Sequence, residues 1–426
     1  MIVLTLYRLL WWVLLPIIIV TRLFRDWRSP LGVRSFLHRF GFHKLPAADL
    51  VIHAVSLGEV RAVTPLVRRL LQEKQCSILF TATTLTGSDQ IIRTFKKEIA
   101  SGALYHSYLP LDFGPSVSRF LAQVKPKAIL IMETEIWPNL IYQAGKRHIP
   151  LLIISACLSD RSYRRYQKIA PAMHRLLKSV DVLTQTDEDT LRFEVLGARS
   201  VERMGNIKYD LTVSDTLYQK VEPLVAHRSP HSIYWIAAST HEEEEEIVVE
   251  AYIKARRRAP HLKLILVPRH PERFQEVRYL LEEYADAHDF KLSIRSEGDL
   301  LTLNPNADIW LIDTLGELLL FYLFADIVTV GGSFVPIGGH NILEPAYFAK
   351  PIIVGPHMDE NRETLFNFLE SRALIQVDAD QLAEVVIDFA NDSSLRESYG
   401  AAAQKTMAQN QGAIEVIMAK LNELLD

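Results

Sequence analysis

Residues 49–60, DLVIHAVSLGEV, contain a short apolar run followed by a Ser-Leu-Gly turn and a glutamate. The run is rich in β-branched residues, which predicts a strand, and VRAVTPLVRRLLQE after the turn has the apolar spacing of a helix. A strand that leads through a tight turn into a helix is the repeating unit of a parallel sheet. The stretch therefore predicts an α/β fold, with the carboxylate of Glu59 placed where a strand ends.

The same alternation recurs along the chain in two series, which are separated by an irregular stretch at about 210–230. The strands of the first series are DLVIHAV, CSILFTAT, AILIMET, PLLIISA and VDVLTQT, and those of the second are IYWIAAS, LKLILVPR, DIWLID, DIVTVGG, PIIVGP and LIQVD. Each series predicts a parallel sheet with helices on both faces. Neither GxGxxG nor GxxxxGK[ST] occurs, which disfavours dinucleotide-dependent dehydrogenases and P-loop NTPases. Two such domains favour the GT-B glycosyltransferase architecture, in which two Rossmann-like, doubly wound domains face a cleft.

The 426 residues divide by these patterns into six predicted segments. They are a membrane anchor over 1–21, a basic juxtamembrane segment over 22–44, an N-terminal Rossmann-like domain over 45–210, a linker over 211–230, a C-terminal Rossmann-like domain over 231–393 and a C-terminal helix over 394–426. In each sheet a ligand is expected at the carboxyl ends of the strands.

Composition limits the class of protein. Apolar residues make up 49% and charged residues 23%, which is typical of a globular chain. The net charge of −4 disfavours a nucleic-acid partner, which attracts basic surfaces. The two cysteines, Cys76 and Cys157, form no CxxC motif, so neither a disulfide framework nor a cysteine metal site is expected.

The first 20 residues, MIVLTLYRLLWWVLLPIIIV, are apolar except for Arg8 and are long enough to cross a bilayer. Arg8 is expected to snorkel toward the near headgroups. No signal-peptide cleavage site follows, so we predict an uncleaved, single-pass anchor. Six basic residues against one acid in 22–44 place the body of the protein in the cytoplasm. The alternative is a helix that lies in the interface with Trp11 and Trp12 at headgroup depth.

Acidic residues follow two strands of the first series. Glu59 comes after the first, and METEIWPN supplies Glu133 and Glu135 after another. A carboxylate at such a position can act as a general base. It can also simply complement the positive end of the following helix. For Glu59 alone, the sequence leaves both interpretations open.

Glycine-rich turns follow strands of the second series. VGGSF at 330–334 offers the backbone of Gly332 and Ser333 to a phosphate, because amide groups at a helix start bind anions. Arg269 can bind phosphate or carboxylate, and Glu344 can accept hydrogen bonds from ribose hydroxyls. Lys208 in GNIKYD is either a ligand contact or a solvated linker residue. STHEEEEE at 239–246 lacks metal-ligand spacing, so we interpret it as structural or as a ligand contact.

Ten motifs together resemble the 3-deoxy-D-manno-octulosonic acid (Kdo) transferases of lipopolysaccharide biosynthesis, over essentially the whole chain. In order they are HAVSLGEV, TATTLTGSD, ILIMETEIWPNLI, GNIKYD, STHEEEE, LILVPRHPERF, DTLGELLLFY, VGGSF, GGHNILEP and NQGA. The resemblance implies a GT-B enzyme at the cytoplasmic face of the inner membrane. Such an enzyme moves Kdo with inversion from CMP-Kdo, held by the C-terminal domain, to a lipid A precursor (lipid IV-A), held by the N-terminal domain.

The resemblance also implies residue roles. Glu59 matches the general base, and Glu133 and Lys208 match residues that stabilise the transition state. The residues that match CMP contacts are Pro268, Arg269, Leu315, Gly316, Glu317, Asn341, Ile342, Leu343 and Glu344. Leu315 and Ile342 stand where relatives often have Met and Pro, changes that backbone contacts should tolerate. No cofactor and no metal are expected, and the basic segment is expected to meet anionic lipids.

Two other functions remain open at this stage. One is a GT-B transferase or epimerase that uses a UDP-sugar, and the other is a membrane-tethered nucleotide-binding scaffold without turnover. The sequence does not determine how many Kdo units are transferred, which acceptor is preferred or what the oligomeric state is.

Overall fold

The computed structural model describes residues 2–27, 33–74 and 76–425, without the side chains of 2, 3, 25–27, 33 and 34. The chain forms two compact units. Unit 1 contains residues 1–210 and 410–426, and unit 2 contains residues 211–409.

Unit 1 is built on a seven-stranded sheet with the order β3-β2-β1-β4-β5-β6-β7, in which every pairing is parallel. Its strands are β1 Leu50–Ala54, β2 Ile78–Ala82, β3 Leu104–Tyr108, β4 Ala128–Met132, β5 Leu151–Ala156, β6 Val180–Thr184 and β7 Ser200–Arg203. Every residue of β1, β2, β4, β5 and β6 is buried. Short, continuously apolar runs therefore became the central strands, since both faces of the sheet are covered.

Helices cover both faces of this sheet. The helices of unit 1 are α1 Ile2–Trp27, α2 Val33–Arg39, α3 Leu57–Glu73, α4 Leu85–Thr94, α5 Lys96–Ser101, α6 Gly114–Val124, α7 Pro138–Lys146, α8 Asp160–Gln167, α9 Ala170–Leu177 and α10 Asp187–Val195, with α19 Ala413–Leu425 from the end of the chain. Alternate strand residues point to opposite faces. Leu50 and Ile52 accordingly join the core under α3 and α19, whereas Val51 joins the core under α6 and α7.

Unit 2 has a second all-parallel, seven-stranded sheet with the order β10-β11-β9-β8-β12-β13-β14. Its strands are β8 Ile233–Thr240, β9 Leu262–Pro268, β10 Leu292–Ile294, β11 Ile309–Leu311, β12 Ile327–Val330, β13 Ile352–Val354 and β14 Ile375–Gln376. Its helices are α11 Asp215–Ala226, α12 Glu244–Arg256, α13 Phe274–His288, α14 Leu318–Phe324, α15 Leu343–Tyr347, α16 Arg362–Glu370, α17 Leu382–Asn391 and α18 Ser393–Gln409. The central β8 is tied to β12 by the buried Trp235, whose Nε1–H donates to Thr329 Oγ1 at 2.8 Å.

Two predicted segments differ from the structure. The stretch 211–230 is not a bare linker, because α11 lies within it and buries Val221 and Leu224 in unit 2. The predicted single C-terminal helix is two helices, α18 and α19, with Gly412 between them at φ +108°, which favours glycine. The break has a tertiary role, because α18 belongs to unit 2 and α19 completes the core of unit 1.

The first helix, α1, includes the segment Leu4–Phe24, which is long and apolar enough to cross a membrane. Its Arg8 does not extend toward headgroups as predicted. The Nε–H of Arg8 donates to Asn139 Oδ1 at 3.0 Å, and its guanidinium lies 4.0 Å from the centre of the Tyr142 ring. The cation is thus bound by α7 of its own unit.

The predicted basic segment 22–44 is only partly described. Arg28 lies outside the described residues, as do the side chains of Arg25, Asp26 and Arg34. Arg39 is 4% exposed, donates to the carbonyl of Thr83 and lies over the Tyr108 ring, so it is a structural cation and not a lipid contact. Lys44 is exposed, as the prediction requires.

Asp210 fixes the return of the chain to unit 1. Its carboxylate accepts from the backbone N–H of Gly412 at 2.7 Å and of Ile414 at 2.6 Å, at the start of α19. Asp210→Ala removes this charged cap, so the free energy of unfolding should fall by about 1–2 kcal/mol. Urea unfolding of the detergent-solubilised chain measures the loss.

Asp286→Ala is the control for this variant. Asp286 is exposed on α13 and makes no hydrogen bond or ion pair within the described part of the chain. Its replacement should change stability by no more than about 0.5 kcal/mol. Equal losses in the two variants would show that the cap does not hold α19.

Candidate active site

The strand order of each sheet reverses once, and side chains that could take part in binding or catalysis follow the strands at that point. In unit 1 the reversal lies between β1 and β4, and in unit 2 between β8 and β12. Ligands of open parallel sheets bind outside the carboxyl ends of the strands at such a reversal. Glu59 follows β1 and Glu133 follows β4, so both stand at the expected place in unit 1.

Glu59 forms a capping box at the start of α3. Its N–H donates to Ser56 Oγ at 3.3 Å, and its Oε1 accepts from the N–H and the hydroxyl of Ser56 at 3.3 and 3.0 Å. Its Oε2 accepts from the N–H of Val55 at 2.8 Å. The structural role left open by the sequence is therefore present, because this carboxylate caps a helix.

The same geometry leaves Glu59 able to take up a proton. An ionised carboxylate has about four acceptor positions, and three are used here, so Oε2 keeps one. Glu59 is 8% exposed. Burial raises its pKa, against the hydrogen bonds from Val55 and Ser56, and the charges of Glu133 and Glu135 raise it further. A buried carboxylate with a raised pKa and one acceptor position left has the properties of a general base.

Glu133 and Lys208 lie together, although 75 residues separate them in the chain. Lys208 Nζ is 3.4 Å from Glu133 Oε1, with the lysine on the 3₁₀ turn Ile207–Tyr209. Their side chains are 47% and 29% exposed, so the pair contributes at most about 1 kcal/mol and can open for a ligand. Glu133 has φ +55°, a conformation that costs a non-glycine residue energy and that concentrates at functional sites.

Glu244 occupies the glycine turn after β12 that the sequence assigned to phosphate. Its Oε2 accepts from the N–H of Gly332 at 2.7 Å, and its Oε1 accepts from the N–H groups of Ser333 and Phe334 at 2.9 and 2.8 Å. The hydroxyl of Ser333 is bound to Val330 and Gly355. The prediction of donor phosphate contacts at Gly332 and Ser333 is therefore corrected, because the protein's own carboxylate fills this anion site.

Glu244 and Glu59 hold equivalent positions in the two units. Each lies in the first turn of the helix that follows a central strand, and each accepts from the N–H of the residue three positions before it, Ser56 for Glu59 at 3.3 Å and His241 for Glu244 at 3.0 Å. Glu244 uses all four acceptor positions, whereas Glu59 uses three. Of these two acids, only Glu59 can receive a proton without losing a hydrogen bond.

Three histidines gather around the reversal point of unit 2, and sequence reasoning did not identify this cluster. His241 follows β8, His270 follows β9 and His340 follows the turn after β12. The Nε2 atoms of His241 and His340 are 2.7 Å apart, and the rings of His241 and His270 are 5.1 Å apart. The only signal in the sequence was that each histidine comes soon after a strand.

Arg269 accompanies this cluster. Its N–H donates to the carbonyl of Thr240 at 2.9 Å. Burial lowers the pKa values of His241 and His340, and the charge of Arg269 lowers them further. No carboxylate pairs with its guanidinium in the part of the chain that the structure describes. Pro268 ends β9 and Arg269 follows it, so both lie at the carboxyl end of a strand, and their contact with a nucleotide stays a prediction.

The other predicted nucleotide contacts lie on two further turns of unit 2. Leu315 is 71% exposed, Gly316 has φ +84°, and Glu317 pairs with Arg295 at 2.7 Å. On the second turn, Asn341 Nδ2 donates to Glu344 Oε1 at 3.3 Å. The side chains of Ile342 and Leu343 are buried, which leaves only their backbone for a ligand.

No metal centre was predicted for the chain. Among the described residues, no group of three or more His, Cys, Asp or Glu side chains could hold a metal ion.

Comparison with known proteins places this site in a family. Residues 34–211 match the family model described as 3-deoxy-D-manno-octulosonic-acid transferase (kdotransferase). The 3-deoxy-D-manno-octulosonic acid transferase of Haemophilus influenzae is 38% identical over 409 residues, which are 94% of this chain and 93% of that protein. The chain belongs to the Kdo transferase family. The Bordetella pertussis transferase is 34% identical over 384 residues, 89% of this chain and 88% of its own.

The predicted resemblance to Kdo transferases is confirmed, and the chain is a glycosyltransferase. The GT-B fold class is also confirmed. A solved UDP-GlcNAc 2-epimerase from Neisseria meningitidis matches 88% of this chain and 99% of its own with a TM-score of 0.56. At 14% identity this likeness concerns the fold alone.

Glu244 yields a prediction for this Kdo transferase. Glu244→Gln replaces one acceptor oxygen by an NH2 group, which cannot accept from the backbone N–H groups it faces. At least one charged hydrogen bond is therefore lost, and each such bond contributes about 1.5–3 kcal/mol. We expect a loss of stability of that size by thermal unfolding, together with weaker nucleotide binding. Glu246→Gln, at an exposed position of the same helix, is the control. Unchanged stability in Glu244→Gln would mean that the turn does not depend on this carboxylate.

Proposed function

We propose that this enzyme transfers Kdo from CMP-Kdo to a lipid A precursor, lipid IV-A, with inversion, at the cytoplasmic face of the inner membrane. Kdo transferase relatives that are similar over most of the chain support Kdo as the sugar that is transferred. The observation that carries the mechanism is Glu59, a buried carboxylate with a raised pKa and one acceptor position left at the reversal point of its sheet.

The proposed reaction is a single displacement. A hydroxyl oxygen of the acceptor attacks the anomeric carbon of Kdo, and the bond from that carbon to the phosphate oxygen breaks. Glu59 receives the hydroxyl proton, and CMP leaves with one more negative charge than it had in the donor. Attack from the face opposite the leaving group inverts the configuration. Lys208, held beside Glu133, supplies positive charge, and cations placed in advance stabilise charge that develops during reaction.

Unit 2 is the proposed donor-binding unit. Arg269 offers a guanidinium without an ion-pair partner among the described residues, and Glu344 offers carboxylate oxygens for the ribose. The turns at Leu315–Glu317 and Asn341–Glu344 offer backbone groups to the cytosine and the sugar. All of these residues lie in unit 2, close to ends of its strands or starts of its helices.

A cavity in unit 1 supports a lipid acceptor. It has a volume of about 720 Å³, and its lining includes Leu4 of α1, Ile141 of α7 and Met173 of α9. Lys146 and Arg175 are also in the lining. Apolar walls with basic residues suit an acyl chain attached to a phosphorylated sugar.

A UDP-sugar transferase or epimerase is the second candidate, because the fold is shared with a UDP-GlcNAc 2-epimerase. Thermal unfolding with CMP or UDP separates the two, since a ligand stabilises the fold that binds it. Mass spectrometry of the lipid formed from CMP-Kdo and lipid IV-A tests the reaction itself and counts the Kdo units. Stabilisation by UDP alone, with no mass added to the lipid, would refute the proposal.

Glu59→Gln and Ser56→Ala separate the base from the helix cap. Both variants weaken the capping box, but only the first removes the proton acceptor. Glu59→Gln should lower kcat by about 10²–10⁴-fold, the usual contribution of a general base, whereas Ser56→Ala should retain most of it. Similar turnover in the two variants, at matched thermal stability, would show that Glu59 caps the helix and is not the general base.

The pH profile of the same pair gives a second readout. The base is active when deprotonated, and the raised pKa of Glu59 should place the acid limb of kcat/KM above the ordinary range of a carboxyl group. The hydrogen bond from Ser56 lowers this pKa, so Ser56→Ala should move the limb to higher pH. An acid limb that does not move would point to another titrating group.

We further propose that α1 lies along the membrane interface instead of crossing the bilayer. Tyr7 donates to Asp112 Oδ2 at 2.9 Å, Arg8 is bound to Asn139, and the Trp12 and Phe113 rings are 4.8 Å apart, so the first half of α1 is attached to unit 1. The apolar part that remains, residues 13–24, spans about 18 Å as a helix. A hydrocarbon core of about 30 Å is too thick for it.

Cysteine labelling tests this arrangement in spheroplasts, with Cys76 and Cys157 replaced by serine. Single cysteines at Thr5 and Thr21, near the two ends of Leu4–Phe24, should both resist a membrane-impermeant maleimide until the membrane is opened. A periplasmic protein with an exposed cysteine is the labelling control. Labelling of Thr5→Cys in intact spheroplasts would show that α1 spans the membrane.

A further inference from the structure

His241 and His340 form an imidazole pair at the reversal point of unit 2. Their Nε2 atoms are 2.7 Å apart and their ring planes differ by 15°. At that distance one Nε2 must carry a hydrogen and the other must accept it, since two N–H groups or two lone pairs would repel each other. The pair is thus built around one shared hydrogen.

The backbone holds both rings in place. The N–H of His241 donates to Glu244, the carboxylate that also binds the turn after β12. The N–H of His340 donates to the carbonyl of Gly331 at 3.1 Å, and the side chain of Asn361 donates to the carbonyl of Gly339 at 2.9 Å. Neither Nδ1 atom has a hydrogen-bond partner among the described residues, so both remain available to a ligand.

The charges around the pair favour an anion. The charged and titratable groups on the elements packed against it are Glu242, the exposed Glu243, Glu244 and Glu245 after β8, Arg269, His270, Glu272 and Arg273 after β9, Glu344 on α15, and His357, Asp359 and Glu360 after β13. Glu244 is saturated by backbone N–H groups, Glu242 and Glu245 pair with Arg273, and Asp359 pairs with Arg362. Arg269 remains near the pair without an ion-pair partner among the described residues, whereas His270 Nδ1 lies 3.8 Å from Glu272 Oε1.

Burial and the charge of Arg269 keep the pair neutral when no anion is present. Burial lowers the pKa of His241, as do the charges of His270 and Arg269, and burial lowers the pKa of His340 to about 4. An anion that binds beside the rings offsets the repulsion from Arg269 and stabilises an imidazolium. Binding of an anion and uptake of a proton are therefore linked.

We propose that His241 and His340 bind the anionic group of the donor and take up one proton from solvent when it arrives. The proton is shared between the two Nε2 atoms, and the Nδ1–H groups donate to the oxyanion. The inference rests on the proposed function, in which the donor is a nucleotide with an anionic sugar. Because the departing nucleotide carries one more negative charge than the donor, the added proton favours its departure and returns to solvent when the nucleotide leaves.

Proton counting by calorimetry tests the pair in the full-length, detergent-solubilised enzyme at pH 7.5, in two buffers of different ionisation enthalpy and with EDTA present. Wild-type enzyme should take up more protons per CMP than His241→Gln or His340→Gln, and both variants should bind CMP about ten- to a hundredfold more weakly. Cytidine, which lacks the phosphate, should bind wild-type enzyme and variants equally. His231→Gln is the matched control, because His231 precedes β8 whereas His241 follows it.

Each other outcome has a definite meaning. Equal proton uptake in wild-type enzyme and in the double Gln variant would overturn the proposal, and so would an equal loss of cytidine binding, which indicates a structural role. Loss of CMP binding on addition of EDTA would show that the pair binds a metal ion and not an added proton. An effect with free Kdo and none with CMP would assign the pair to the carboxylate instead of the phosphate. If UDP binds and CMP does not, the proposed function fails. Proton uptake measured with UDP and with uridine then tests whether the histidine pair binds the anionic group.

Discussion

The constraint on which the molecule depends is the direction of its strands. In a parallel sheet every carboxyl end lies at the same edge, and helices must cover both faces. Each sheet here reverses its order once, beside β1 in unit 1 and beside β8 in unit 2. Glu59, Glu133, His241 and His340 follow strands at these reversals, and Arg269 follows β9, the neighbour of β8. Within each unit, residues far apart in the chain therefore come together without any local motif that joins them.

The two central turns show how one local pattern serves two purposes. Glu59 and Glu244 each lie at the start of the helix that follows a central strand, and each accepts from the backbone N–H three residues earlier. Glu244 also accepts from three N–H groups of the turn after β12, so all of its acceptor positions are in use. Glu59 has no such turn to bind and keeps an acceptor position. The difference comes from the neighbouring strand, β12 in one unit and β4 in the other, and not from the sequence around either acid.

The first helix illustrates a limit of composition. An apolar segment with a single early cation predicts a membrane helix, and Leu4–Phe24 fits that description. Hydropathy does not report what a cation near the end of the segment will contact. Arg8 could have reached headgroups, but Asn139 and Tyr142 of α7 bind it. Those contacts shorten the apolar length that is free of unit 1, and the proposal that α1 lies in the interface rests on them.

The sequence by itself determined the α/β class, the two series of strands, the family and the strand-end position of Glu59, Glu133 and Arg269, because periodicity and motif order are local properties. Tertiary structure decided the rest. It joined Lys208 to Glu133, returned α19 to unit 1 through Asp210, closed the Gly332–Ser333 turn with Glu244 and paired His241 with His340. Each of these contacts joins residues brought together by the order of strands in a sheet or by the return of the chain end. That arrangement is set by packing of the whole unit and leaves no periodic trace in the chain.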